Sequence, residues 1–470
     1  MKSTRIAALA LTGALAAGML AACGDSATPD PTADPTTDAT ADPASSGEPV
    51  TITVAGLQPG AEPEALAALE GRIEEFEALY PGITIEAEEY NWLATTFAAQ
   101  LAGGTLPIVF EIPVTDGKTL IENGQLADID TYVRELPYAD EFNEAVAANG
   151  LSDDGRFYAV PAKSFYAVAL HYNRDLFEQA GLDPDDPPAT WDEIRAAAKT
   201  IRETTGQYGY GMMALDNAGG WQLTAAAYSR GGRVQATDGD TYTATLDDPA
   251  VRDHLEWLAA LRWEDDSIYP DATFGWGEIN QAFAAGQIAM YTSGSDIYNA
   301  LIENNGIGFD FPYGLTALPT QGAEAGALGG GTLAAVSARA TEAEKAAAVK
   351  WIDFWYLANL RDQDQAVANA EIRFDAGQAV GTPVLPIFSE EQYRTSLEWV
   401  ADYINVPLDH MTGYTDVMFT QPLIGEPSRS TQETYALLFP IVQAVLTDQN
   451  ADVAGLLDVA NAQGQDLLDN

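Results

Sequence analysis

Four aromatic side chains in this 470-residue chain occupy short irregular stretches. They are Tyr90 and Trp92 in Glu89-Tyr90-Asn91-Trp92, Trp221 after Asn217-Ala218-Gly219-Gly220, and Trp276 in Phe274-Gly275-Trp276-Gly277. A flat ring of this kind can cover the apolar C–H face of a cyclic ligand, while a carboxylate or amide beside it pairs with adjacent hydroxyls. Glu111, Asp116 and Asp296 are the acids placed to do so, with Asn217 and Ser295 as neutral partners. Together they could capture a small polyhydroxylated molecule reversibly. Phe165 and Tyr166 form a further pair, of which an alternating strand would turn one inward. Tyr414, in a loop before the last helices, completes the set. Trp191, Trp257, Trp351, Trp355 and Trp399 lie in helical patterns and are assigned to packing; Trp263 ends a helix.

Elements must hold these groups in place. Val50 to Leu57 is a β-branched run, and Glu62 to Leu79 then spaces Leu66, Leu69, Ile73, Phe76 and Leu79 as a helix face. Tyr80-Pro81-Gly82 stops the helix, Ile83-Thr84-Ile85 resumes a strand, Phe97 to Ala102 is helical, and Pro107 to Ile112 is again a strand. This alternation predicts an α/β fold with a parallel, helix-covered sheet, whose ligands sit beyond the strand C-termini. That position selects Tyr90, Trp92, Glu111 and Asp116. Further helices are expected from Ile194 to Arg202, from the Asp248-Pro249 cap to Leu261, and at Glu342–Leu357, Tyr435–Leu446 and Val453–Leu468.

Other chemistries have weaker support. His171, His254 and His410 are scattered, and no His-Glu-x-x-His or Gly-x-Ser-x-Gly pattern occurs. Gly117-Lys118-Thr119 lacks the leading glycine of a phosphate loop, since Ile112 stands in its place. Asp183, Asp185 and Asp186 are interrupted by prolines, unlike a calcium loop. No metal or cofactor is expected. Glycoside cleavage by paired carboxylates stays open, as do capture of a polyamine, peptide or ferric iron and a purely adhesive role.

The formal charge of -48 argues against nucleic-acid binding and against adhesion to an anionic bilayer. Lys2 and Arg5 precede an apolar stretch, Ile6 to Ala22, that reads as a signal peptide over residues 1–22. Its removal takes the charge to -50. From Asp25 to Pro49 the composition turns to Asp, Thr, Pro, Ala and Ser, which cannot form a core and should act as a tether. The remaining residues exceed what one core usually holds, so two domains or lobes are expected.

Leu20-Ala21-Ala22-Cys23 resembles the lipobox of bacterial lipoproteins, which implies acylation of Cys23, the sole cysteine, and anchoring to the outer face of the cell membrane. The body resembles the extracellular solute-binding proteins of sugar-importing ABC transporters, the maltose-binding-protein-like family. The resemblance rests on Gly155-Arg156-Phe157-Tyr158-Ala159-Val160-Pro161 with Leu170-His171-Tyr172-Asn173-Arg174-Asp175-Leu176-Phe177. Phe283 to Met290 with Ser293-Gly294, and Leu318-Pro319 with Gly329-Gly330-Gly331, extend it.

It implies a type II periplasmic-binding-protein fold, two lobes joined by a multi-strand hinge around a cleft. The expected segments are 50–160 and 328–380 for the first lobe, 161–327 and 381–470 for the second. It also implies a non-catalytic monomer that captures a mono- or oligosaccharide and hands it to a membrane permease, with Gly330 among the cleft contacts. The lipid is then the only attachment to the membrane.

Overall fold

The computed structural model describes residues 49–61, 63–238 and 241–469. The signal segment, Cys23 and the tether up to residue 48 lie outside the described residues. Among the described residues there are eleven strands: β1 Val50–Ala55, β2 Ile83–Glu88, β3 Val109–Pro113, β4 Ala159–Asn173, β5 Tyr208–Tyr210, β6 Gln235–Asp238, β7 Thr241–Ala244, β8 Ile288–Gly294, β9 Tyr313–Ala317, β10 Ala327–Val336 and β11 Leu423–Gly425. Nine of them form one sheet, with the path β2-β1-β3-β10-β4-β8-β5, β9 on β4 and β11 on β10. The Pro63–Leu79 helix connects β1 to its parallel neighbour β2, and β3 is parallel to β1 on the other side.

The expectation of a wholly parallel sheet needs correction: β10 is antiparallel to both β3 and β4, and β4 is antiparallel to β8 and β9. The reason is topological. The chain passes into the second half of the sheet along β4 and returns along β10, and these strands must run in opposite directions. Fifteen-residue β4 pairs with β10 through its first part and with β8 and β9 through its last. Where it passes from one half to the other the register slips: Gly331 faces Phe165 but Thr332 faces Ala162, leaving Lys163 and Ser164 unopposed. Such a bulge bends the strand and increases its twist.

The three glycines of β10 serve this crossing. A Cβ on Gly330 would stand 2.5 Å from the Tyr166 hydroxyl, and one on Gly331 2.7 Å from the Phe165 ring. Their absence lets both aromatic rings lie across the neighbouring strand. Phe165 is 4% exposed and packs into the core, whereas Tyr166 is half-buried on the side where the halves face one another. The alternation therefore sends Phe165 into the core and leaves Tyr166 on the opposite face, so the burial of Phe165 does not fit the contact expected of it.

Most expected helices are present, among them Trp191–Thr205 with a Thr190/Glu193 capping box and Pro249–Trp263 capped by Asp248. The expected Glu342–Leu357 helix is α-helical only to Ile352 and widens to a π turn over Asp353–Leu357. The tryptophans assigned to packing behave so where they are seen in detail. Trp191 and Trp351 are fully buried, Trp257 donates to the Trp191 carbonyl at 3.0 Å, and Trp351 stacks on Trp355. Trp263 donates to the Val445 carbonyl at 2.9 Å. His171 is also core: its ring nitrogens meet the Tyr313 hydroxyl and the Ser293 carbonyl, and burial lowers its pKa to about 4.

Asn217-Ala218-Gly219-Gly220, read above as a loop, is the first part of a helix, Asp216–Ser229. Its glycines admit another helix, not a ligand. A Cβ on Gly220 would fall 2.2 Å from the Tyr435 carbonyl oxygen in the Thr431–Thr447 helix. Gly220→Ala should therefore destabilise the protein by about 1–3 kcal/mol in chemical denaturation, because backbone must move to make room. Gly277→Ala is the control, since nothing lies within 4 Å of that Cβ. It should be neutral or stabilising by up to about 1 kcal/mol.

Candidate functional site

The strand ends of the first half build one wall. Trp92 follows β2, and its indole nitrogen donates to Asp116 Oδ2 at 3.1 Å. Asp116 lies in the first turn of the Val114–Glu122 helix, which starts directly after β3, and takes a second hydrogen bond from Thr115 Oγ1 at 3.3 Å. Burial raises its pKa to about 6 against these two hydrogen bonds, and the charge of Glu433 adds to the rise. The predicted pairing of an aromatic ring with a carboxylate is thus present at Trp92 and Asp116. Tyr90 and Glu111 stand behind it. The Tyr90 hydroxyl donates to the Glu111 carbonyl at 2.5 Å, the Tyr356 hydroxyl donates to Glu111 Oε1 at 2.7 Å, and Tyr90 is only 7% exposed. These two residues brace the wall.

The opposite wall comes from the Asp216–Ser229 helix, the segment after β11, and the Thr431–Thr447 helix. Trp221 meets Tyr166 edge to face, with ring centroids 6.3 Å apart. Glu426, immediately beyond β11, is partly buried among Trp221, Tyr435 and Tyr166. Burial pushes its carboxyl up to about 8, the Tyr435 and Trp221 donors oppose the rise, and repulsion from Asp116 adds to it. Nothing in the sequence reading selected Glu426, Glu433, Tyr435, Gln432 or Thr115. The available signal for Glu426 was Leu423-Ile424-Gly425-Glu426-Pro427, an acid closing a very short apolar run.

The walls meet directly. Asn217 Nδ2 donates to Gln432 Oε1 at 2.8 Å, and Gln432 Nε2 donates across to Thr115 Oγ1 at 3.1 Å. A cavity of about 400 Å³ is bordered by Trp92, Thr115 and Asp116 on one side and Arg429, Gln432 and Glu433 on the other. That volume suits a small polar ligand.

The other predicted residues are placed as follows. Trp276 begins the Trp276–Ala284 helix, is 47% exposed, and belongs to a segment paired through Phe274 with Leu215. Asp296 starts the Ile297–Asn305 helix, where its charge reaches Tyr166 and Tyr414. Ser295 is buried, with its amide bonded to the Ala167 carbonyl. Tyr414, expected in an open loop, is wholly buried in a helical turn, Thr412–Thr415, its hydroxyl toward Ser295. Gly330 lies beneath the Tyr166 ring. Trp92, Asp116, Asn217 and Trp221 are therefore brought together; Ser295, Asp296 and Tyr414 form a separate group reached through Tyr166.

Comparison with known proteins agrees with this geometry. The family described as bacterial extracellular solute-binding protein matches residues 71–368. A Brucella abortus protein named as a binding protein is 27% identical over 251 residues, 52% of this chain and 57% of the relative. The chain spans little more than half the length of that curated relative. Among solved structures, an ABC transporter solute-binding protein of Thermotoga lettingae bound with α-D-tagatose has a TM-score of 0.71 at 19% identity, covering 89% of this chain and 99% of that one. UgpB of Mycobacterium tuberculosis in complex with glycerophosphocholine has a TM-score of 0.67 at 19% identity, covering 90% and 99%. These likenesses show the type II periplasmic-binding fold of two lobes. With well over half of its length matched by the family's own pattern, the chain belongs to the bacterial extracellular solute-binding proteins.

Proposed function

We propose that this protein captures a sugar or related polyol between its lobes and delivers it to the membrane subunits of an ABC importer, without catalysing a reaction. The observation that carries the reading is the matched pair of walls, Trp92 with Asp116 and Trp221 with Glu426, each an indole beside a carboxyl. Rings of this kind cover C–H faces, and carboxyls pair with hydroxyls. The α-D-tagatose bound by the Thermotoga relative agrees with a sugar. A phosphate ligand like that of the Mycobacterium relative is less well suited, because acids that border the cavity, Asp116 and Glu433 among them, would repel it. Closure of the lobes around ligand gives a permease a signal that separates loaded from empty protein.

Acylation at Cys23 and the acidic tether would hold this body, as a monomer, at the outer face of the membrane. Among the described residues no helix is long and apolar enough to cross a membrane.

A thermal-shift screen of the full chain against sugars, polyols, glycerophosphodiesters, peptides and ferric salts tests the reading, because a ligand of the native state raises the melting temperature by mass action. A saturable shift with a sugar or polyol, weakened about tenfold or more in affinity by Trp92→Ala, is expected. A response confined to glycerophosphodiesters, peptides or iron would refute the sugar assignment.

A further inference from the structure

A continuous line of hydrogen bonds runs from one wall to the other. Trp92 Nε1 donates to Asp116 Oδ2 at 3.1 Å, and Thr115 Oγ1 donates to Asp116 Oδ1 at 3.3 Å. Gln432 Nε2 donates to Thr115 Oγ1 at 3.1 Å, and Asn217 Nδ2 donates to Gln432 Oε1 at 2.8 Å. Every group is used in the role its chemistry allows. The Thr115 hydroxyl gives its one proton to the carboxylate and accepts on its lone pairs, while the Gln432 amide donates at one end and accepts at the other. Trp92, Thr115, Asp116 and Gln432 all border the cavity of about 400 Å³, so the line crosses beside the space open to a ligand.

A second observation concerns the backbone. Among the described residues, three that are not glycine have positive φ: Asp216 at 51°, Asp266 at 48° and Ser430 at 47°. Asp216 directly precedes Asn217, and Ser430 precedes the Thr431–Thr447 helix, which carries Gln432 in its first turn. Ser430 offsets none of the cost of this conformation with a side-chain cap. Uncommon backbone of this kind persists only where its surroundings over-determine it, and it gathers at clamps and switches. Two of the three such residues thus set the direction of the amides that span the cleft.

We propose that Gln432 is a latch between the lobes: its bond to Thr115 draws the walls together before a ligand arrives and holds the cavity near its closed width. This rests on the two-wall reading above and adds the regulation of that site. One net hydrogen bond of this kind raises the ratio of closed to open molecules about fivefold. Apparent affinity scales with the closed fraction, so the latch strengthens capture without touching the ligand. It also sets how closely empty protein resembles loaded protein to an importer that reads closure.

The test needs no ligand. It is small-angle X-ray scattering of the full chain, wild type against Gln432→Glu, Gln432→Ala, Thr115→Val and the Gln432→Ala/Thr115→Val double variant. Gln432→Glu keeps the shape and can still accept from Asn217 but cannot donate to Thr115, and Thr115→Val keeps the shape without the oxygen. Each variant should show a larger radius of gyration, as the ratio of closed to open molecules falls about fivefold. The double variant should open no further than either of its parents, because both break the same bond. Should a glutamine variant lose its fold, seen by circular dichroism, Thr115→Val decides alone. Scattering that is the same in wild type, Gln432→Glu and Thr115→Val would overturn the latch and leave the sugar reading intact. Opening of these variants while every carbohydrate of the thermal screen is silent would uphold the latch and remove the sugar reading alone.

Discussion

Trp221→Ala should weaken ligand capture by about a hundredfold or more, with the fold retained. Loss of ring area and stacking removes about 3 kcal/mol of contact, which corresponds to about two powers of ten in affinity. The indole also reaches Glu426 and supports Tyr166 edge to face, so truncation loosens the wall as well as uncovering it. Trp221→Phe separates the two contributions. It keeps a ring but removes the N–H donor, and should fall between the wild type and alanine. Titration of all three proteins with the same sugar, alongside circular dichroism, checks the order. Equal affinity in all three would remove Trp221 from the site.

The second large effect concerns pH. The Glu426 carboxyl is raised from 4.5 to about 8 in the folded protein. The sign follows from proton linkage: the contribution of this group to stability is full below the unfolded value and is lost as pH rises through the folded one. Asp116 behaves alike over a lower window, from 3.8 to about 6. Taken at face value the Glu426 shift corresponds to ~5 kcal/mol; partial exposure reduces this to on the order of 3 kcal/mol.

Other carboxylates titrate in the opposite direction, Asp265 for one, held low by Arg195 and Lys199 although burial raises it. The informative quantity is therefore the difference between wild type and Glu426→Gln. Denaturation midpoints should show the wild type gaining on the variant at pH 5 and losing to it by pH 9. A difference that stays flat across this range would show that Glu426 is solvated like any surface carboxylate.

Much of this architecture was legible in the sequence because it is written in local periodicity. The β1–helix–β2 opening and the Asp248-Pro249 cap are each set by short-range spacing and caps, whereas the crossing through Ala159–Asn173 was implied by the resemblance of that block to the solute-binding family. Trp92 and Asp116 were selected by the rule that ligands gather at strand ends, and the fold joins the two by a hydrogen bond. The misses share a cause. Asn217-Ala218-Gly219-Gly220 looks like a loop because glycine costs about 1 kcal/mol in a helix. Here that cost is offset by close packing on the Thr431–Thr447 helix, a partner far along the chain.

Glu426 and Gln432 were hidden for the same reason. Neither has a local signature, and each acquires meaning only when the last part of the chain returns across β10 and faces Thr115 and Asp116. Tyr414 illustrates the converse, a polar aromatic in an apparent loop that the fold buries completely.

The most direct test of the central claim, that the two indole and carboxyl walls enclose a sugar or related polyol, is a calorimetric titration of the full chain with the strongest carbohydrate from the thermal screen, repeated in Trp92→Ala, Trp221→Ala and the double variant. The account predicts one saturable site, a negative heat-capacity change from buried apolar surface, and losses in both single variants that leave the double variant without measurable binding. Tight carbohydrate binding that survives removal of both tryptophans would contradict it.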